Sequence, residues 1–223
     1  MTQIQSLKTQ LLGAIDRAEP DGKYSDSHLE ALHALVQQLI ALTPLPRPVD
    51  RQEYVTGAWG TRFAQFGARH TAGKPVVHET DFGLLSFGNL PRRPLRLLDI
   101  QQEIHHVSKD YNNVQIIETL DQRLRALLIV YGRYRIDQVN PQRYIVEFYK
   151  VALLGAAGEN EAAIRGAFGF EPNQPLEAHF KPPRVHSDIV YCDEDMRINF
   201  GSLGGVYVLN RLRDHAGTSI TFG

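Results

Sequence analysis

The segment Tyr191-Cys-Asp-Glu-Asp-Met-Arg-Ile-Asn-Phe-Gly-Ser-Leu-Gly-Gly-Val-Tyr-Val-Leu-Asn-Arg211 predicts three short strands separated by two tight turns. Asp193 and Asp195 are expected to shape the first turn, because aspartate side chains bond nearby backbone amides. Gly201 begins the second turn, where glycine lets the chain reverse. Residues 206–209 are β-branched and aromatic, as strands prefer. This end of the chain is therefore predicted to form antiparallel β-structure.

A second stretch with the pattern of a β-strand lies far upstream. In Tyr54-Val-Thr-Gly-Ala-Trp-Gly-Thr-Arg-Phe63, the motif Gly57-Ala58-Trp59 is followed by residues that alternate along a strand. From here onward the pattern has period two, with turn residues between many of the segments. Such a series suits a closed antiparallel barrel. The predicted strands are residues 55–66, 75–87, 95–107, 111–118, 124–136, 143–153, 185–191, 195–200 and 205–212.

These two stretches resemble the plastid lipid-associated protein family, also called PAP/fibrillin. The family's C-terminal signature is a Tyr-x-Asp-x-Asp-x-Arg-Ile block, a glycine-containing turn and an aromatic-Val-Leu-x-Arg strand, and its first barrel strand opens with Gly-x-Trp. The resemblance covers about residues 5–212 and is diffuse over residues 120–180. It implies a mainly β fold, a lipocalin-like antiparallel β-barrel preceded by two N-terminal α-helices, that holds lipids or other small hydrophobic molecules.

The resemblance also implies how one end of the barrel is built. Gly57 and Trp59 form the opening motif of the wider lipocalin group, in which the tryptophan closes one end and an arginine lies across its ring. A tryptophan face can accept a guanidinium group while it buries a large apolar area. Arg211 is favoured for this place over Arg197, because Arg211 ends the last strong strand.

The chain divides into a helical segment, residues 1–46, and a barrel, residues 51–223, with an insertion at about 155–183. Apolar residues recur at helical spacing in the first segment, and Ser27 with Glu30 forms a capping box for the second helix. We expect the two helices to pack on the barrel and to brace one opening. The insertion contains a predicted short helix and several prolines, and we expect it to act as a flap over the barrel mouth.

Composition excludes several classes of function. The chain has 24 Lys and Arg against 25 Asp and Glu, a net charge of −1, so there is no footprint for nucleic acid and no polybasic membrane anchor. The single cysteine, Cys192, excludes an internal disulfide and is expected to be a structural thiol. No signal peptide, plastid transit peptide or apolar span of about 20 residues is evident. We therefore expect a cytoplasmic protein of cyanobacterial type or a mature form, with peripheral contact to thylakoid-type membranes left open.

Catalytic and metal-binding motifs are not evident in the sequence. Asp193, Glu194 and Asp195 are best explained as a turn, since adjacent solvated carboxylates have nothing to separate their pKa values. Asp195 also shares a strand face with Arg197, which suggests a salt bridge. His105 and His106 are adjacent and would point to opposite faces of a strand. We therefore predict no catalytic residue, no metal and no required cofactor.

Residues inside the barrel would contact a ligand. A polar head group would meet a few polar side chains, and aromatic residues would line the cavity. For Gln102, a solvent-facing position and a position inside the barrel are equally compatible with the sequence. Sequence alone does not separate an open interior from a filled one, because both need apolar inward faces. The candidate ligand-binding residues are Gln102, Tyr144, Phe148, Tyr191, Arg197 and Phe200.

These observations favour non-enzymatic binding and carriage of a small hydrophobic molecule: a lipid, prenylquinone, carotenoid or fatty acid. The family resemblance links such a role to photosynthetic membranes and plastoglobule-type particles. One alternative is a lipocalin-like tetrapyrrole (bilin) lyase or isomerase. Another is a structural or adaptor protein whose barrel is filled. The bound lipid, quinone or pigment, the oligomeric state and any protein partner stay open.

Overall fold

A computed structural model describes residues 2–17, 24–65, 78–155, 160–202 and 204–212. It contains helices α1 (Gln3–Ile15), α2 (Asp26–Ala41), α3 (Gln52–Val55), α4 (Phe82–Leu85) and α5 (Glu161–Phe168), with a short 3-10 helix, η1 (Pro48–Asp50). The strands are β1 (Gly57–Gln65), β2 (His78–Asp81), β3 (Pro94–Ile104), β4 (Tyr111–Glu118), β5 (Arg125–Ile136), β6 (Arg143–Gly155), β7 (Glu177–His179), β8 (Arg184–Cys192), β9 (Met196–Gly201) and β10 (Val206–Arg211).

The sheet closes on itself through β1. On one side β1 pairs with β10, with Trp59 opposite Arg211; on the other side it pairs with β3, with Gly57 opposite Ile104. The order β1-β10-β9-β8-β6-β5-β4-β3 thus forms a ring in which every neighbouring pair is antiparallel. Closure leaves no free edge along the ring. The predicted lipocalin-like barrel with two N-terminal helices is confirmed.

The two ends of the barrel differ. At the closed end lie η1, α3 and the turns after β3, β5 and β8. At the other end, α4 and the segment around α5 meet through aromatic contacts. The ring centre of Phe82 lies 5.6 Å from that of Phe168 and 6.0 Å from that of Phe170. The insertion therefore reaches this second end of the barrel, and a flap role for it stays a prediction.

Helices α1 and α2 pack against the side of the barrel and not over an opening. Leu11 and Leu39 are completely buried in a cluster with Ile198 and Val208, whose side chains point outward from β9 and β10. The outward side chains of these strands are apolar and need cover, which explains the position of the helices. Helix α2 is capped by Ser25, whose hydroxyl accepts from the amide of His28, so it begins one residue before the predicted cap Ser27.

Two predicted strands end differently in the structure. Residues 75–87 are predicted as one strand, but residues 82–85 form α4 in the structure. This helix starts there because the Asp81 carboxylate accepts a hydrogen bond from the amide of Leu84. Phe87 follows with a φ of 54°, in the left-handed region. The prediction for residues 55–66 began inside α3. The predicted short helix after residue 155 is α5, and residues 66–77 and 156–159 lie outside the described residues.

The contact between helices and barrel can be tested with Leu39→Ala. Leu39 is fully buried, so its truncation should lower the free energy of unfolding by about 2–5 kcal/mol. Urea unfolding followed by circular dichroism measures this loss. The matched control is Leu84→Ala, since Leu84 is 70% exposed. Equal stabilities for the two variants would show that the helices do not unfold together with the barrel.

Candidate functional site: the barrel interior

Trp59 plugs the closed end of the barrel. Its ring is fully buried, and its Nε1 donates to the backbone oxygen of Val55, 2.9 Å away, in α3. Two guanidinium groups lie near the ring: the Cζ of Arg211 is 4.3 Å from a ring centre and that of Arg197 is 4.7 Å away. The electron-rich ring face attracts both cations. Both arginines considered from the sequence therefore meet the same tryptophan.

Arg211 joins the elements of the closed end. Its Nε donates to the backbone oxygen of Glu194 at 2.8 Å, its Nη1 to that of Thr56 at 2.9 Å, and its Nη2 to that of Tyr54. These oxygens belong to the turn before β9 and to the ends of α3. A planar guanidinium with several donors suits such a convergence of carbonyls. Arg211 thus ties the closing helix to the last strand.

Arg197 reaches across the interior. It is fully buried; its Nη1 donates to the Val55 oxygen at 3.3 Å, and its Nη2 donates to the Oε1 of Gln102 on β3. Strands β9 and β3 are not neighbours in the ring, so both side chains point inward. Arg197 therefore does not make the salt bridge with Asp195 that its spacing suggested. Burial lowers the pKa of the Arg197 guanidinium from its ordinary value.

One wall of the interior is polar. The register places side chains from β1, β3, β4, β8, β9 and β10 at inward positions, since alternate residues face opposite sides. The hydroxyl of Tyr111 lies near the side chains of Ser187 and Gln102, and burial raises the pKa of Tyr111, so this hydroxyl stays protonated near neutral pH. Gln102, Asn113 and Tyr207 keep part of their accessible surface. The inward polar residues are Thr61, Gln102, Tyr111, Asn113, Gln115, Ser187, Arg197, Asn199 and Tyr207.

The opposite wall is apolar and tightly packed. Strands β5 and β6 place fully or almost fully buried aliphatic side chains inward. Tyr144 and Phe148, two of the predicted ligand-binding residues, belong to this wall. The Tyr144 hydroxyl donates to the Oε1 of Gln52 at 2.9 Å, and the Phe148 ring stacks on that of Phe87 with centres 5.5 Å apart. The aliphatic residues are Leu128, Val130, Val146, Val151 and Leu153.

Two predicted ligand-binding residues lie outside the barrel. A bulge in β8 between Ile189 and Tyr191 shifts the alternation by one, so Tyr191 faces α1 and α2. Phe200 alternates with the inward Asn199 and packs against the same outer cluster. The prediction that Tyr191 and Phe200 line the interior is therefore corrected. Gln102, Tyr144, Phe148 and Arg197 do face it.

The first predicted turn is built around Asp193. Its Oδ1 accepts from the amides of Asp195 and Met196 at 2.9 and 2.8 Å, and its Oδ2 accepts from Lys8 at 2.8 Å and from the Tyr191 hydroxyl at 2.6 Å. Burial alone would raise the pKa of this carboxyl, but these hydrogen bonds outweigh it and the pKa is lowered. The turn after Gly201 reverses through Gly204, with a φ of 81°. The carboxylates of the acidic run thus serve the turn and the contact with α1.

The remaining candidate features are the single thiol, possible metal ligands, surface clefts and membrane-spanning helices. The thiol of Cys192 is buried, and burial raises its pKa to about 11. No group of three or more His, Cys, Asp and Glu side chains converges within the described ranges. Two surface clefts, of about 370 and 210 Å³, lie outside the barrel, one between α1 and α2 and one beside η1. None of the described helices is long and apolar enough to cross a membrane.

Sequence reasoning missed part of the polar wall. Tyr111, Ser187 and Asn199 were not among the candidates, although they surround Gln102 and Arg197. All three follow the period-two alternation of their strands, which is the signal that would have found them. Reading that signal requires the register, because bulges in β1, β3, β6 and β8 change which alternate set faces inward.

The role of Arg211 at the closed end leads to a stability test. Arg211→Met keeps an apolar group near Trp59 but leaves three backbone oxygens without their charged donor, so we expect a loss of roughly 2–4 kcal/mol in unfolding free energy. Denaturant unfolding measures this loss. Arg123→Met is the control, because the Arg123 side chain is 83% exposed. A change as small as that of the control would contradict the role of Arg211.

The lowered pKa of Asp193 predicts how acid acts on the fold. Its pKa is lower in the folded than in the unfolded state, so its stabilising contribution is present above the unfolded value of about 3.9 and is lost as the pH falls through the folded value. Asp193→Asn should lower stability at pH 7 and flatten the dependence below about pH 4. Thermal unfolding between pH 7 and 2 measures both effects. Asp50→Asn, at a half-exposed carboxylate, is the control, and parallel acid profiles for Asp193→Asn and the native protein would refute the prediction.

The chain matches one protein family over most of its length. A family model described as PAP_fibrillin matches residues 5–210. A search of curated proteins finds no match. Among solved structures, the chain is similar to a lipocalin-like protein from Bacteroides uniformis, with 11% identity and a TM-score of 0.31 over 70% of this chain and 97% of that one. The match to the family model spans nearly the whole barrel and both helices, and the chain belongs to the PAP/fibrillin family.

Proposed function

We propose that the protein binds a small amphiphilic molecule inside the barrel and carries it without chemical change. The observation that supports this proposal is the two-sided interior, which is polar around Gln102, Asn113 and Arg197 on β3, β4 and β9 and apolar toward β5 and β6. A ligand with a polar head and a hydrophobic tail matches both walls. The family and the barrel fit the binding of a hydrophobic ligand.

The energetics favour a ligand with a long apolar part. Burying apolar surface contributes about 25 cal/mol per Å², so a chain or ring system would supply most of the affinity. Polar groups on the opposite wall would fix the orientation of the head, since each of them needs a partner once water is excluded. Ile100 faces the interior and is only partly buried, so it lies where a ligand would pass.

Lipids, prenylquinones, carotenoids and fatty acids all satisfy this description. A role at photosynthetic membranes belongs to the proposal and is motivated by the family resemblance. A rival reading, a filled barrel that serves as a scaffold, is favoured by the tight packing of Leu128, Val146 and Val151 on the apolar wall. The two readings differ in whether any ligand enters.

Mass spectrometry decides between them. The purified protein is examined in its native state and after organic extraction, and the delipidated protein is then incubated with oleyl alcohol, decylubiquinone, β-carotene and a bilin. We expect one hydrophobic molecule per chain. The variant Ile100→Trp should abolish uptake by filling the interior, whereas Glu147→Trp, at an outward and half-exposed position, should retain it.

Three other outcomes of this experiment would contradict the carrier proposal. If no member of the panel binds, or if Ile100→Trp binds as well as the native protein, the carrier proposal is wrong and the scaffold reading is preferred. A bilin that leaves the protein altered or covalently attached to an acceptor would favour the lyase or isomerase alternative.

A further inference from the structure

Arg197 is a buried cation whose polar partners are all uncharged. Its Nη1 and Nη2 donate to the Val55 backbone oxygen and the Gln102 side chain, and its Nε has no hydrogen-bond partner. The ionisable side chains that interact electrostatically with it include Tyr111, Tyr144 and Cys192, and burial raises the pKa of each, so all three are neutral at pH 7. Arg211, on the same tryptophan ring, adds a second positive charge.

The acidic side chains of the described barrel strands point away from the interior. Glu118 forms ion pairs with Arg96 and Arg125, and Asp188 forms one with Arg143. Each of these two carboxylates directly follows or precedes an inward-facing residue of its strand, so it faces outward. Glu103 alternates with the inward Gln102, and Glu147 with the inward Val146. Within the described ranges, the strands thus place no carboxylate on the interior wall near Arg197.

A buried charge without a counter-charge is unfavourable. An arginine does not escape this cost by losing its proton, because the guanidinium stays protonated in proteins. The unpartnered Nε and the low polarity of the surroundings therefore favour an anion that enters from outside the chain. Asn199, two residues along the same face, has a side-chain oxygen that also lacks a partner, and a rotated amide would present N–H donors at that place.

We infer that the barrel ligand is a long-chain carboxylate and that its carboxylate group is the counter-ion of Arg197. This inference rests on the proposed function and narrows it from amphiphiles in general to anionic ones. The hydroxyls of Tyr111 and Ser187, which lie in the same cluster as Gln102, supply neutral donors for the second carboxylate oxygen. The tail extends past Ile100 toward the end of the barrel at which α4 and α5 lie. A neutral quinone or carotenoid would leave Arg197 without its counter-charge.

Two ligands that differ only in the head group test this assignment. The delipidated full chain is titrated by calorimetry with oleate and with oleyl alcohol, below their aggregation concentrations and at pH 8. Because charge-assisted hydrogen bonds are roughly twice as strong as neutral ones, we expect oleate to bind at least about tenfold more tightly. Arg197→Met should remove this preference and leave the affinity for oleyl alcohol within about threefold. The control Arg123→Met should keep the preference.

The possible results decide separately on the carboxylate assignment and on the carrier function. Equal affinities in the native protein would overturn the carboxylate assignment and leave the carrier proposal standing, whereas binding of neither ligand would overturn both. A preference for oleate that survives in Arg197→Met would assign it to another cation and would also overturn the inference. If Arg197→Met does not fold, the ratio measured on the native protein decides. Arg197→Lys, which retains the charge, is then expected to keep a preference for oleate.

Discussion

The structure depends on the seal that Trp59 makes at the narrow end of a closed ring of strands. Trp59 lies on β1, the strand through which the ring closes, opposite Arg211 on one side and Gln102 on the other. Its indole hydrogen bond to Val55 fixes the short helix that covers this end. Next to this seal, both Trp59 and Arg197 are completely buried. This low-polarity environment is what makes the position of Arg197 costly and therefore informative.

Much of this architecture could be predicted from the sequence. Alternation located most barrel strands within two residues of their bounds, β4 at its full extent, and the Gly57-Ala58-Trp59 motif located the seal. Helix α4 was missed because four helical residues after a capping Asp81 leave too short a pattern to stand out from a strand. The position of α1 and α2 was also predicted only in part. Helical periodicity shows that one face is apolar, but not which surface covers it.

The interior could be predicted less well, and the bulges explain why. In β8, the bulge before Tyr191 turns its ring toward the helices, and in β1 the irregularity between Thr61 and Phe63 does the same for Phe63. An extra residue in one strand reverses the facing of every later side chain, and nothing in local composition marks it. Gln102 and Arg197 became a pair only when the register joined two strands that are not neighbours.

The arrangement around Trp59 also gives the molecule an internal optical reporter. Trp59 is the only tryptophan of the chain, it is fully buried, and two cationic groups lie within 5 Å of its ring. The emission of an indole responds to nearby charge and to the polarity of its surroundings. Any event that changes the base of the barrel, whether entry of a guest molecule or loosening of the seal, changes the environment of this one chromophore. A change at this end of the barrel is thus observable in the native chain without a label.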